Sequence, residues 1–92
     1  MKKIDPKEKE LFEVLLKLET LEDYQKFFAD LCTPTEIQAM ADRWKVAQLL
    51  HQDMPYREIY KKTGVSTATV TRVARCLVYG EGYRTLLERM KK

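Results

Sequence analysis

The segment from Tyr56 to Tyr79, YREIYKKTGVSTATVTRVARCLVY, constrains the fold more than any other part of the chain. Gly64 lies in its middle, and glycine takes the left-handed conformation at a helix C-terminus more readily than any other residue. Ser66 follows, and serine is a favourable N-cap for a second helix. Two short helices joined by a glycine turn are typical of a helix-turn-helix, here predicted over residues 55–79.

The second helix of this segment is predicted to have one buried stripe and one polar side. Val70, Val73 and Leu77 recur at spacings of three and four residues, as they would on one face of a helix. Hydroxyl and basic side chains lie on the other faces and are free to meet a partner. These side chains are Thr67, Thr71, Arg72 and Arg75. Tyr60 fits poorly, because a small residue is common where the two helices come close.

Charge is distributed unevenly, although the net charge is only +3. Residues 43–92 carry eleven lysines and arginines against four acidic residues, a balance of +7. Residues 1–42 carry six lysines against ten acidic residues, a balance of −4. Phosphate contacts supply most of the non-specific affinity for DNA, so a basic half that contains the helix-turn-helix indicates double-stranded DNA as the partner.

Length and composition exclude several classes of protein. The 92 residues predict a single domain, 1–92, and no apolar run approaches the ~18 residues that a membrane span needs. The first residues lack the apolar stretch of a signal peptide, which predicts a cytoplasmic protein with Cys32 and Cys76 reduced. The lone histidine, His51, is expected at a helix C-terminus rather than on a metal. Without a nucleophile–base pair or a cofactor loop, we expect neither an enzyme nor a bound cofactor.

Start signals predict an all-α protein of six short helices. Asp5-Pro6-Lys7-Glu8 combines an N-cap, a first-turn proline and the glutamate of a capping box. Thr20 can cap a second helix, and Thr33-Pro34-Thr35-Glu36 repeats the capping signature. Gly80 and Gly82 are expected to break the chain before the last helix. Outside the helix-turn-helix, the predicted helices run from Pro6 to about Leu18, from Leu21 to about Leu31, from the Thr33-Pro34 signal to about Leu50, and roughly from Tyr83 to Met90.

The first two helices carry more apolar side chains than one helix face can hold. A helix that is apolar on most sides is normally buried on most sides, and a chain this small buries only about 60–65% of its surface on folding. A second copy would cover the excess, and a two-fold dimer would place two recognition helices about 34 Å apart along DNA. A compact monomer with exposed leucines is the alternative. The predicted homodimer interface consists of Leu11, Phe12, Leu15, Leu16, Phe27 and Phe28.

Two stretches of the chain resemble the tryptophan repressor family, and more closely its Trp-repressor-like members of unknown effector. They are LCTPTEIQAMADRW at residues 31–44 and REIYKKTGVSTATVTRV at residues 57–73, and the similarity extends to Met90. The resemblance implies an intertwined, all-helical homodimer that represses transcription from a palindromic operator. Residues of the same type as in the family are Thr33, Pro34, Glu36, Arg57, Glu58, Gly64, Ala68, Thr69, Thr71 and Arg72.

The resemblance also implies which side chains meet DNA. Residues at the start of the recognition helix would contact bases and phosphates, and Arg57, in the first turn of the preceding helix, would contact the backbone. Arg72 could contact the groove, a phosphate or an effector. The complete set of predicted DNA-binding residues is Arg57, Ser66, Thr67, Ala68, Thr69, Thr71, Arg72 and Arg75.

A possible effector site is implied at Thr33, Arg43 and Arg72. In the repressor, tryptophan lies with its indole ring flat on a glycine, where this chain has Val73, whose branched side chain would occupy that space. A serine that helps to hold the ligand's amine is Cys76 here, which we expect to be a small apolar filler. Tryptophan is therefore not expected to act as a co-repressor, and another small effector or none are the alternatives.

A second class of function competes with DNA binding. Helix-turn-helix units are also used to bind other proteins, such as polymerase subunits, so a protein-interaction module is the alternative prediction. DNA binding would show a steep dependence on salt, because phosphate contacts release counterions, whereas a neutral protein contact would not. Trp44 is expected to pack between helices rather than to form a plate for a ligand.

Overall fold

The computed structural model describes residues 3–91, and the regular secondary structure of this part of the chain is entirely helical. This confirms the predicted all-α class, with six helices among the described residues. The ends of the predicted 1–92 domain, residues 1, 2 and 92, lie outside the described part of the chain. The helices are α1 (Pro6–Leu15), α2 (Leu21–Leu31), α3 (Pro34–His51), α4 (Tyr56–Thr63), α5 (Thr67–Tyr79) and α6 (Gly82–Met90).

The described chain divides into two compact units. The first unit, which ends at Pro34, contains α1 and α2, and the second unit begins at Thr35 and contains the remaining helices. The prediction of a single domain stays a prediction.

Helix α1 starts as predicted and ends earlier. The Asp5 carboxylate accepts the backbone N–H of Lys7 at 2.7 Å, so Asp5 is the N-cap. The helix was expected to reach about Leu18 but ends at Leu15. Beyond that point the N–H groups of Lys17 and Leu18 bond to carbonyls three residues earlier, at 2.9 and 3.2 Å. The last turn is therefore tighter than an α-helix, as is common at helix ends.

Helix α2 begins with a capping box that contains an aspartate. Thr20 accepts the backbone N–H of Asp23 at 3.0 Å, and the Asp23 carboxylate accepts the N–H of Thr20 at 3.3 Å. The same carboxylate accepts the N–H of Glu19 at 3.0 Å. These bonds from Glu19 and then Thr20 hold the pKa of Asp23 below its ordinary value. Sequence reasoning found the Thr20 cap and missed its partner.

The end of α3 is closed by the backbone, not by a histidine side chain. His51 is the last helical residue, as expected from its sequence position. The N–H groups of Asp53 and Met54 bond to the carbonyls of Leu50 and Leu49, at 2.9 and 3.1 Å. Asp53 has a φ of 63°, the left-handed position that glycine usually occupies in this type of helix end. This closure sets the corner from which α4 departs.

The second unit contains the buried core. This core joins α3 to the helix-turn-helix, because its buried side chains come from α3, from α4, from α5 and from the turn between α4 and α5. Leu87 of α6 is also buried. The cluster consists of Val46, Ala47, Leu49, Ile59, Val65, Val70 and Val73, with Trp44, Leu50, Met54 and Tyr83 packed against it.

The first unit has no buried side chain among its described residues. Of the six residues predicted to form a dimer interface, Phe12 and Leu16 are exposed and the other four are half-buried. The rings of Phe27 and Phe28 meet edge to face, with centroids 6.1 Å apart. The apolar excess predicted from the sequence is therefore present on the surface of the chain.

Candidate nucleic-acid interface

The turn between α4 and α5 is fixed by a glycine and a threonine. Gly64 has a φ of 75° and donates its N–H to the carbonyl of Tyr60, as the sequence predicted for a helix C-cap. Thr63 adds a bridge, because its hydroxyl donates to the Ile59 carbonyl at 2.7 Å and accepts the N–H of Val65 at 3.1 Å. Sequence reasoning missed Thr63, although a threonine beside the turn glycine is a plausible hydrogen-bonding residue.

Ser66 caps α5, and this role uses much of the hydrogen-bonding capacity of its hydroxyl. The Ser66 oxygen accepts the backbone N–H of Thr69 at 3.2 Å, and the two hydroxyls are 3.1 Å apart. Thr69 is half-buried. Of the residues predicted to bind DNA, these two are therefore hydrogen-bonded to each other at the start of the helix.

The rest of the predicted reading residues form one exposed side of α5. Val70 and Val73 are buried on the opposite side, so the helix is held by its apolar stripe. At 3.6 residues per turn, positions spaced by four residues lie one above another. Thr67 and Thr71 make no hydrogen bond through their hydroxyls within residues 3–91. The exposed residues of this side are Thr67, Ala68, Thr71, Arg72 and Arg75.

The cations of the helix-turn-helix are exposed and have no anionic partner within the described chain. Arg57 lies in the first turn of α4, where the sequence predicted a contact with the DNA backbone. None of these cations makes a salt bridge with a described residue; the salt bridges found are Lys9–Glu13 and Lys26–Glu22, in α1 and α2. The unpaired cations of α4 and α5 are Arg57, Lys61, Lys62, Arg72 and Arg75.

Tyr60 does not disturb the packing of the two helices. Its neighbour Ile59 is fully buried, whereas Tyr60 is 51% exposed. The tyrosine ring therefore lies on the outer side of α4, and the core side of the helix is occupied by isoleucine.

The structure places the three predicted effector residues in different surroundings. Thr33 belongs to the first unit, and Arg43 and Arg72 belong to the second. Arg43 is half-buried and Arg72 is exposed, and neither makes a hydrogen bond or a salt bridge with its side chain within residues 3–91. Val73 is 1% exposed and is part of the core cluster. Cys76 is exposed, so the prediction that it is an apolar filler is wrong: it lies on the solvent side of α5.

Two contacts outside the turn hold α5 and its neighbours in place. Trp44 of α3 stacks on Tyr83 of α6, with ring centroids 6.2 Å apart, in agreement with the expected packing role of the tryptophan. Arg84 donates through Nε to the carbonyl of Gly80 at 3.1 Å, where α5 ends. Gly82 was expected to break the chain but is the first residue of α6. Sequence reasoning missed the Arg84 contact, although Arg84 and Gly80 are only four residues apart in the chain.

Comparison with known proteins agrees with this arrangement of helices. The family model described as Trp repressor protein matches residues 7–91. The chain belongs to the Trp repressor family. It is 46% identical over 84 residues to the uncharacterized protein YerC of Bacillus subtilis (strain 168), covering 90% of this chain and 81% of that protein.

Two further relatives are similar over most of their length. The Trp operon repressor homolog of Chlamydia caviae is 38% identical over 69 residues, which cover 74% of this chain and 68% of that protein. The crystal structure of a TrpR like protein from Eubacterium eligens ATCC 27750 superposes with a TM-score of 0.86 at 42% identity. That match covers 89% of this chain and 86% of the other.

Family membership gives the general activity. Trp repressor proteins are DNA-binding regulators of transcription rather than enzymes. The helix-turn-helix predicted over residues 55–79 corresponds to α4, the turn and α5. Within residues 3–91, no helix is long and apolar enough to cross a membrane, and no group of three potential metal ligands comes together.

Proposed function

We propose that the protein is a homodimeric repressor that recognises a palindromic operator through α5. Thr67, Ala68 and Thr71 face the edges of bases, where a threonine offers both a hydroxyl and a methyl group. Arg57 contacts the phosphate backbone at the edge of the groove. Ser66 and Thr69 contribute by setting the start of the recognition helix, since their hydroxyls are used in its cap.

The observation that carries this proposal is the division of α5 into two sides. One side is buried in the core, which fixes the helix, and the other exposes hydroxyl and guanidinium groups without partners in the described chain. Helices α1 and α2 each pair one lysine with a glutamate, whereas α4 and α5 pair none of their cations within the described chain. On duplex DNA, unpaired cations can bind the phosphates, and the short hydroxyl side chains beside them can hydrogen-bond the base edges.

The surface of α1 and α2 supports a dimer. Large apolar side chains remain exposed there, including Leu16 at 83% and Leu21 at 77%. Such a concentration of large exposed apolar side chains in one small unit is what an interface with another chain would cover. A second copy of the chain brings a second recognition helix, and a two-fold protein matches the symmetry of a palindromic site.

The buried position of Val73 argues against tryptophan as the co-repressor. The side chain of Val73 fills the interior at the position where the resemblance implies a flat-lying indole ring. Arg43 and Arg72 are free to serve other purposes, and for Arg72 the exposed position on α5 favours a role at the DNA surface.

Selection of bound sequences from random duplex DNA, followed by salt titration of the selected site, tests the proposal. The expected result is a palindromic consensus and an affinity that falls steeply as salt rises. The tested protein should be the whole chain at a concentration where sedimentation reports a dimer. If the selection yields no consensus sequence and the affinity for duplex DNA does not depend on salt, the assignment is overturned.

A protein-interaction module is the second candidate function. The exposed Tyr56 and Tyr60 on α4 favour it, because aromatic residues are enriched at protein interfaces. The salt titration separates the two functions. An interaction module would leave duplex DNA unbound at physiological salt, whereas the proposed repressor would bind it.

A further inference from the structure

Arg75 is an exposed cation on the third turn of the recognition helix, and the sequence predicts a DNA contact for it without deciding between a base and a phosphate. It lies four residues after Thr71 and eight after Thr67, so the three residues share one side of α5. Its guanidinium makes neither a hydrogen bond nor a salt bridge within residues 3–91. Five N–H donors are thus available on the same side as the base-reading residues.

The position of Arg75 along the helix decides what it can reach. Eight residues correspond to about 12 Å along the axis of an α-helix. Helix side chains lean toward the N-terminus, so the guanidinium covers the turn between Thr71 and Arg75 rather than a later one. Arg75 is thus the last residue on the exposed side that carries Thr67 and Thr71, and its side chain is long enough to reach beyond the base edges toward the phosphates that border the groove.

The surface around Arg75 is rich in hydrogen-bond donors. Arg75 lines an open depression together with Arg72 and Tyr79. Two guanidinium groups and a phenolic hydroxyl supply donors, and acidic side chains are missing from the residues that line the depression. Tyr79 is 84% exposed, so its hydroxyl is available to a partner.

We infer that Arg75 is a phosphate-contacting residue that anchors the third turn of α5 to the DNA backbone, with Arg72 and Tyr79 as its neighbours in the same depression. This role rests on the proposed DNA-binding function. It assigns base reading and phosphate binding to different turns of the helix. The first turn and Thr71 read bases, and the third turn fixes how deeply the helix enters the groove. Phosphate contacts of this kind set register and orientation without carrying sequence information.

The test compares Arg75→Ala with Arg89→Ala, using the full chain on the selected operator and on random duplex DNA. Both substitutions remove one exposed arginine from the second unit, and Arg89 lies on the last turn of α6. Arg75→Ala should weaken both DNA ligands by the same factor and reduce the slope of log K against log salt by about one unit. Arg89→Ala should leave the slope unchanged, and Arg75→Lys should restore most of it.

The outcomes separate this inference from the proposed function. Wild-type protein that binds duplex DNA with a steep slope upholds the function, and the Arg75 variants then decide the inference. An unchanged slope in Arg75→Ala, or a loss of affinity confined to the selected operator, would overturn the phosphate role. A wild-type protein that fails to bind duplex DNA would overturn both, and circular dichroism of each variant verifies that α5 is intact.

Discussion

The helices before and after Pro34 differ in how much of their apolar surface they bury. The second unit encloses a core that includes Val46, Ile59 and Val70, each fully buried. The first unit buries none of its described side chains, although it carries the densest run of leucine and phenylalanine in the chain. Apolar surface of that extent is normally removed from water in the functional state of a protein.

The two units also differ in the pairing of their charged side chains, and here the first unit is the more satisfied. The first unit pairs part of its charge internally, through Lys9–Glu13 at 3.8 Å and Lys26–Glu22 at 3.1 Å. The helix-turn-helix of the second unit leaves its cations unpaired. One unit therefore has its charges partly matched and its apolar surface uncovered, and the other has its core covered and its charges unmatched. The difference supports the two proposed partners, a second copy of the chain for the first unit and a phosphate backbone for the second.

The largest effect is expected from a charge placed on the uncovered surface. Leu15→Asp would bury an unpaired carboxylate in the proposed dimer interface, and that cost should dissociate or unfold the protein. Gln25→Asp introduces the same charge at an exposed polar position of α2 and should leave the dimer intact. Sedimentation velocity at micromolar concentration, with circular dichroism, measures both. A wild-type chain that is a well-folded monomer at that concentration would contradict the dimer and remove this side of the comparison.

A smaller effect is expected from a cavity in the covered unit. Ile59 is fully buried at the contact between α4 and the core, so Ile59→Ala should lower the free energy of unfolding by about 2–5 kcal/mol. The adjacent Tyr60 lies half in solvent, and Tyr60→Ala should change that free energy by about 0.5 kcal/mol or less. Urea denaturation gives both values. Equal losses from the two variants would show that the second unit is not held by the core described above.

Local signals carried most of the fold prediction. Gly64 and Ser66 fix the turn by their own backbone and hydroxyl chemistry, so the sequence was sufficient to place them. Asp53 could not be found in this way, because a left-handed aspartate at the end of α3 has no distinct sequence signal when no glycine is present. The early end of α1 at Leu15 was missed for a related reason, since apolar periodicity continues to Leu18 while the hydrogen bonding changes.

The candidate site was predicted less completely than the fold. Periodicity separates the buried from the exposed side of α5, and so located Thr71 and Arg75 correctly on the surface. It could not decide between a base and a phosphate for Arg75, because that choice depends on depth in the groove. Cys76 was misplaced because small residues of low polarity are common on both sides of a helix. The Arg84 contact with Gly80 was missed as well, although it is local in the sequence.

The next, smaller effect concerns the recognition of base sequence by the exposed side of α5. Thr71→Ala should cost roughly 1–3 kcal/mol of binding free energy on the selected operator and relax the preference at one base pair. The hydroxyl makes no hydrogen bond in the described chain, so stability should change little. Arg57→Ala is the matched comparison, and it should weaken all sequences alike and lower the salt slope by about one unit. Equal weakening of random and selected DNA by both variants would show that α5 does not read bases.

The smallest expected effect is that of tryptophan, which should have none. The resemblance implies that Val73 lies where the family's indole ring would rest, and its side chain is buried in the same cluster as Val46 and Val70. A free amino acid that binds neither unit cannot shift the equilibrium between binding-competent and incompetent states, however high its concentration. Calorimetry with millimolar tryptophan should therefore detect no binding heat, and the melting temperature and operator affinity should not move. Val73→Gly offers the converse experiment: if it creates a tryptophan-dependent affinity for the operator, the valine alone accounts for the missing response. Saturable tryptophan binding by the wild-type chain, with a dissociation constant in about the tens-of-micromolar range or tighter, would instead show that Val73 does not block the effector site.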